Sequence, residues 1–176
     1  MPAQQFVDEL NAQIGREFGA SQQYVAVAVY YDDLTLPRTA AFFYDQAVEE
    51  RTHALMMVQY LLDQDVRPTV PGVAAPVTDF GDWVAPLGTA LEQERKVTDQ
   101  IAALAATARR ENDYVSEQFM QWFLKEQVEE VSTMSDLVAV AERSRDRPMD
   151  FEDYLAREKS GAGDADPTAP PAAGGA

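Results

Sequence analysis

Four long stretches of the chain carry apolar residues at alternating steps of three and four, and each places one glutamate inside its own apolar stripe. The stripes read Leu10, Ile14, Glu17, Ser21, Tyr24, Ala28, Tyr31; then Phe43, Ala47, Glu50, Ala54, Met57, Leu61; then Leu87, Leu91, Glu94, Thr98, Ile101, Ala105; then Phe119, Phe123, Gln127, Glu130, Met134, Leu137, Ala141. Such steps put residues on one face of an α-helix. No comparable alternating run suggests strands, so the chain is predicted to be all-α.

The first helix is predicted from about Gln5 to Asp32 and the second from Arg38 to Asp65, with Pro37 suited to a helix start. Between Val66 and Asp82, Pro68, Pro71, Gly72, Pro76 and Gly81 forbid regular helix. The third helix runs from about Trp83 to Arg110. After the polar Glu111-Asn112-Asp113 break, the fourth runs from Tyr114 to Arg145, and a short fifth spans Asp150 to Lys159. Residues 161–176 are almost all Gly, Ala, Pro, Asp and Thr and are expected to form a disordered tail behind one domain of residues 1–160.

Short turns force antiparallel neighbours, whereas a 17-residue connection can travel the length of a bundle. Helices one and two therefore form a hairpin, as do three and four, and the long segment is a crossover between them. The predicted architecture is a four-helix bundle with a long crossover between helices two and three and a short fifth C-terminal helix.

With 14 basic and 30 acidic residues the formal charge is −16, which disfavours nucleic acid and anionic membrane surfaces as partners and favours cations. Without cysteine, disulfides and thiolate metal sites are excluded, so any metal is held by oxygen and nitrogen. The first nine residues lack a signal-peptide pattern, and the longest uncharged stretch, Phe18 to Tyr31, is too short and polar for a membrane span. A cytoplasmic location is expected.

A lone charge on an apolar stripe is ordinarily a snorkelling side chain. Four stripes with one carboxylate each are harder to dismiss, because an isolated carboxylate in a low-dielectric core costs several kcal/mol or becomes neutral. No basic residues stand on these stripes at matching heights. At about 1.5 Å per residue, Glu17, Glu50, Glu94 and Glu130 all fall near the middle of their helices, where an antiparallel bundle brings them to one level. His53 lies one turn beyond Glu50 on the same side, so the two can grip one ion.

These residues resemble the ferritin family: Glu17 and Tyr24 on helix one, Glu49-Glu50-Arg51-Thr52-His53-Ala54 on helix two, Glu94 on helix three and Gln127-Val128-Glu129-Glu130 on helix four, with the likeness covering about residues 5–160. Other members of the ferritin-like class carry Glu-x-x-His on each of two helices. Here His53 is the single histidine, and helix four has Gln127-x-x-Glu130 instead. Arg51 stands where bacterioferritins carry a haem-ligating methionine, and Met56 and Met57 are read as packing residues. The resemblance is therefore to bacterial non-haem ferritins, with no haem expected.

What the resemblance implies is a ferritin-like bundle that stores iron, oxidising Fe(II) with dioxygen or hydrogen peroxide as a ferroxidase. Glu17, Glu50 and His53 would hold one iron, and Glu50 would bridge to a second held by Glu94 and Glu130, with Gln127 and Tyr24 as weak or supporting ligands. Glu49, Glu126, Glu129 and Glu130 match a third iron site, or else are glutamates facing a polar cavity. Trp122 and Tyr24 would supply an electron or a hydrogen bond, or simply pack.

The resemblance also implies a homo-oligomeric hollow shell of 24 subunits. In it Glu117 would line a threefold channel, unless it is a solvated surface charge. The apolar face of helix five (Phe151, Tyr154, Leu155) would be buried at a fourfold contact, having little cover in a monomer. Alternatives are a non-catalytic storage cage, a DNA-protecting mini-ferritin, and a di-iron enzyme acting on an organic substrate. The filled ligand set argues against the first, the acidic balance and long bundle against the second, and the single histidine against the third.

Overall fold

Residues 1–158 and 166–175 are described in the structure, a computed structural model, and their regular structure is helical throughout: α1 (Gln4–Asp33), α2 (Pro37–Asp63), α3 (Ala85–Arg110), α4 (Tyr114–Arg143) and α5 (Pro148–Glu158). The apolar stripes fall where the sequence puts them. Every apolar stripe residue is buried except Phe119, which is half-buried, and all four stripe glutamates are buried too.

Helix ends shift by a residue or two for identifiable reasons. Asp82 Oδ1 accepts from the N–H groups of Val84 and Ala85, both at 2.9 Å, which delays α3 to Ala85, and the Trp83 indole N–H donates to the Arg145 carbonyl at 2.9 Å. Asp65 has φ 57°, left-handed backbone that no helix continues through, so α2 stops at Asp63. Pro148, which has no N–H to lose, opens α5 two residues early. The predicted end at Lys159 lies outside the described residues.

α1 pairs with α2 and α3 with α4, and α1 also lies along α3. The crossover is pinned along α1 in order. Thr69 N donates to Asn11 Oδ1 at 2.6 Å, the Pro71 ring sits against Gly15, and the Gln23 side chain both donates to Val77 O and accepts from Val77 N at 2.9 Å. A Cβ on residue 15 would collide with that ring, which accounts for glycine in mid-helix. The loop thus returns the chain to the C-terminal end of α1, where Tyr31 Oη donates to the Trp83 carbonyl at 2.8 Å. The result is an up–down–down–up bundle.

Two apolar clusters fill it. One gathers Tyr24, Tyr31, Phe43, Leu87 and Leu137, and the other Phe6, Ile14, Met57, Ile101 and Phe123. Between α2 and α4 the packing opens into two clefts, one closed by α5 and the other edged by residues 166–169.

The apolar face of α5 corrects the expectation that it lacks cover within one chain. Phe151 is fully buried against Trp83, ring centroids 5.4 Å apart, and Leu155 is buried in the first cluster. Folding α5 back also buries Glu152, whose carboxylate accepts from the N–H groups of Arg38 and Thr39 at 2.8 Å and from Thr39 Oγ1 at 2.5 Å. It caps the start of α2, where the bare N–H groups and the helix dipole favour a negative charge.

Of the stretch expected to be a disordered tail, 161–165 and 176 lie outside the described residues, and 166–175 lie on the bundle. Ala173 N donates to the Leu55 carbonyl at 3.1 Å, and Ala169, Ala172 and Ala173 pack on the second cluster.

Glu152→Ala strands the buried donors at the head of α2 and is expected to lower unfolding stability by about 2 kcal/mol, with Glu152→Gln recovering part of it, measured by urea denaturation.

Candidate metal centre

Each long helix brings one carboxyl between the two apolar clusters: Glu17, Glu50, Glu94 and Glu130 are 1%, 1%, 0% and 5% exposed, beside His53 at 3%. Ligand atoms of Glu17, Glu50 and His53 lie within 4.8 Å of one another, the spacing of groups converging on one ion. His53 Nδ1 stands 3.5 Å from Glu50 Oε2, and the imidazole is walled by Trp122 and Phe123 with centroids 5.7 and 5.8 Å away.

Neighbours fix the outer sides of these carboxyls. Gln13 Nε2 donates to Glu17 Oε1 at 2.8 Å, and Arg16 in turn donates to Gln13 Oε1 at 2.8 Å. Tyr24 Oη donates to Glu94 Oε1. On the inner side, Glu17 Oε2, Glu50 Oε2 and Glu94 Oε2 are buried without a hydrogen-bond partner among the described residues. Buried carboxylate oxygens left free in this way are what a bound cation would satisfy.

Burial is the main influence on every acid of this layer, followed in each case by a neighbouring charge or hydrogen bond. Glu17 is pushed well up by burial and then by Glu50, and Glu50 by burial and then by Glu94. Glu130 is pushed up to about 9 by burial and the charges of Glu49 and Glu94. Glu94 rises only to about 7, because the Tyr24 hydrogen bond partly offsets burial. Burial and Glu94 also raise Tyr24, which keeps its phenol a donor.

The remaining sequence-predicted residues divide. Gln127 joins the layer, buried, its Oε1 accepting from Thr98 Oγ1 at 3.0 Å. Glu49 and Glu126 gather with His53 in a second group whose ligand atoms also lie within 4.8 Å. Glu129 is exposed and lies at the edge of the adjoining cleft, outside that group. Glu117 is held by Arg109, whose Nε donates at 2.9 Å. Trp122 packs on His53 and sends its indole N–H away, to Asp166. Met56 and Met57 are buried in the second cluster, as packing residues are, and Arg51 is exposed. Sequence reasoning missed Gln13, although a polar residue one turn before Glu17 on the same face was a usable signal.

The ferritin-like domain pattern matches residues 7–144. The chain is a member of the ferritin family. It is 56% identical over 164 residues to a protein named Ferritin BfrB of Mycolicibacterium smegmatis, covering 93% of this chain and 90% of that relative. To the bacterial non-heme ferritin of Staphylococcus aureus it is 36% identical over 132 residues, 75% of this chain and 80% of that protein. Among solved structures, an open pore ferritin of Archaeoglobus fulgidus superposes with a TM-score of 0.84 at 26% identity, covering 88% of this chain and 96% of that one. Chlorobium tepidum ferritin superposes at 0.80 with 28% identity, covering 92% and 97%. Ferritins are iron-storage proteins, and a carboxylate layer of this kind suits a hard cation. No helix among the described residues is long and apolar enough to cross a membrane.

In this ferritin-family chain the raised carboxyls tie stability to pH. A carboxyl raised in the folded state holds its proton where the unfolded chain has lost it, so stability falls as pH climbs from the ordinary value of 4.5 toward about 9. A divalent cation displaces those protons and reverses the loss. The chelator-treated protein is expected to melt at lower temperature at pH 8.5 than at pH 5.5, and Zn(II) to raise the melting temperature more at pH 8.5. A Zn(II) effect equal at both pH values would contradict this.

Proposed function

We propose that the chain stores iron by oxidising Fe(II) at the centre formed by Glu17, Glu50, His53, Glu94 and Glu130 and depositing the ferric product inside a hollow homo-oligomeric shell of 24 subunits. The observation that carries the reading is the convergence of Glu17, Glu50 and His53, with carboxylate oxygens that are buried and accept no hydrogen bond among the described residues. Family membership supports iron as the cation.

Glu17, Glu50 and His53 would take one Fe(II), and Glu50 would extend to a second shared with Glu94 and Glu130. Binding exchanges carboxyl protons for metal charge. Each Fe(II) then gives up one electron, and the oxidant, dioxygen or hydrogen peroxide, takes the pair. Four carboxylates favour the more highly charged ferric product, which makes oxidation downhill. The protein contributes proximity of the two ions and, through Tyr24 and Gln127, fixed orientations for Glu94 and its neighbours. Glu49 and Glu126, grouped on the outer side of His53, would give a third ion or departing product its next foothold. No haem is assigned, and a cytoplasmic location goes with this role.

Purified metal-free protein given Fe(II) in air is expected to develop ferric absorbance faster than buffer. Glu50→Ala and His53→Ala are expected to slow it by roughly tenfold or more. Oxidation no faster than buffer would leave only a non-catalytic cage, and variants matching an active wild type would move the oxidation away from this centre. Light scattering tests the shell separately, with a mass near one chain counting against it.

A further inference from the structure

Beyond the ligand layer, one cleft between α2 and α4 leads from His53 toward solvent. Glu49, Glu126 and Glu129 line it, and so do Trp122, Lys125 and Asp166. It encloses about 540 Å³, and Lys125 is the one Lys or Arg among the described residues lining it. An ammonium placed there has two choices of partner. It can fold onto Glu126 and Glu129, its neighbours on α4, and cancel the charge that would draw in a cation. Or it can be held elsewhere.

The C-terminal segment takes its hydrogen bond, while Glu126 and Glu129 stay near enough to act on it through charge alone. Asp166 Oδ2 accepts from Lys125 Nζ at 3.3 Å and from Trp122 Nε1 at 3.1 Å. Its other oxygen is fixed by Thr168, whose N–H and Oγ1 donate at 2.8 and 2.6 Å. Beyond Thr168, the Ala173–Leu55 backbone hydrogen bond and the alanines packed on the second cluster hold the segment to α2. The same carboxylate therefore braces the Trp122 indole, which stands edge-on to His53, and occupies the Lys125 ammonium.

We propose that residues 166–175 are a strap that keeps the His53 cleft open to Fe(II), with Asp166 as a positioning residue that diverts Lys125 from Glu126 and Glu129. This rests on reading the centre as the place where iron is oxidised. An exposed ion pair such as Lys125–Asp166 adds little to stability. Its consequence here is local charge: with Asp166 in place the Lys125 ammonium is paired with the strap and Glu49, Glu126 and Glu129 are left for a cation, and without it the ammonium turns inward against them.

The test compares full-length wild type, Asp166→Asn and Asp166→Asn/Lys125→Met, reading the initial oxidation rate against Fe(II) concentration and, in parallel, anaerobic Co(II) binding by calorimetry. Asp166→Asn is expected to raise the half-saturating concentration of either ion about fivefold, the order for one newly competing charge at close range in water, with little change in the maximal rate. Adding Lys125→Met is expected to restore it. If Asp166→Asn behaves as wild type, or its defect persists without the lysine, the strap proposal is overturned and the segment is a packing clip. Wild type that binds Co(II) but does not oxidise iron overturns the ferroxidase reading instead, and the Co(II) arm still decides the strap.

Discussion

The desolvation of four carboxyls at one level of the bundle is the constraint around which the rest of the chain is arranged. Burial, more than any neighbour, holds Glu17, Glu50 and Glu130 away from their charged form. A layer like this weakens the empty protein and survives because apolar packing lies on both sides of it, Phe43, Tyr31 and Leu87 to one side and Ile14, Met57 and Ile101 to the other. A bound cation converts the same layer from a cost into a stabilising cross-link among four helices.

Long-range ties then position the helices that carry the acids. The crossover clamps α1 through Asn11, Gly15 and Gln23, and α5 caps α2 through Glu152. Both ties lie away from the metal centre, yet they set the relative placement of the two hairpins, and a shift of about an ångström between ligands is enough to spoil a metal geometry. The direct supports, Gln13 on Glu17 and Tyr24 on Glu94, fix one oxygen of each acid and leave its mate free.

How much of this was readable in advance follows from the range of each interaction. The stripes, and the glutamates inside them, are written at three- and four-residue spacing, so Glu17, Glu50, His53, Glu94 and Glu130 could be singled out from periodicity, and the ferritin resemblance assigned them iron. Pro71 against Gly15, Glu152 against Thr39 and Asp166 against Trp122 join residues 56, 113 and 44 apart, and no local pattern announces such pairs. For residues 166–175 composition is a poor guide: a run of Ala, Pro and Gly buries little, but a few methyl groups, one backbone hydrogen bond and one well-held aspartate place them on the bundle. The α5 face was misjudged because its cover, Trp83, comes from just ahead of α3.

The most direct measurement of the central claim is anomalous diffraction at the iron edge from crystals soaked anaerobically in Fe(II). Two peaks are expected within each subunit, one among Glu17, Glu50 and His53 and one among Glu50, Glu94 and Glu130. Iron density confined to surface carboxylates, with none inside the bundle, would contradict it.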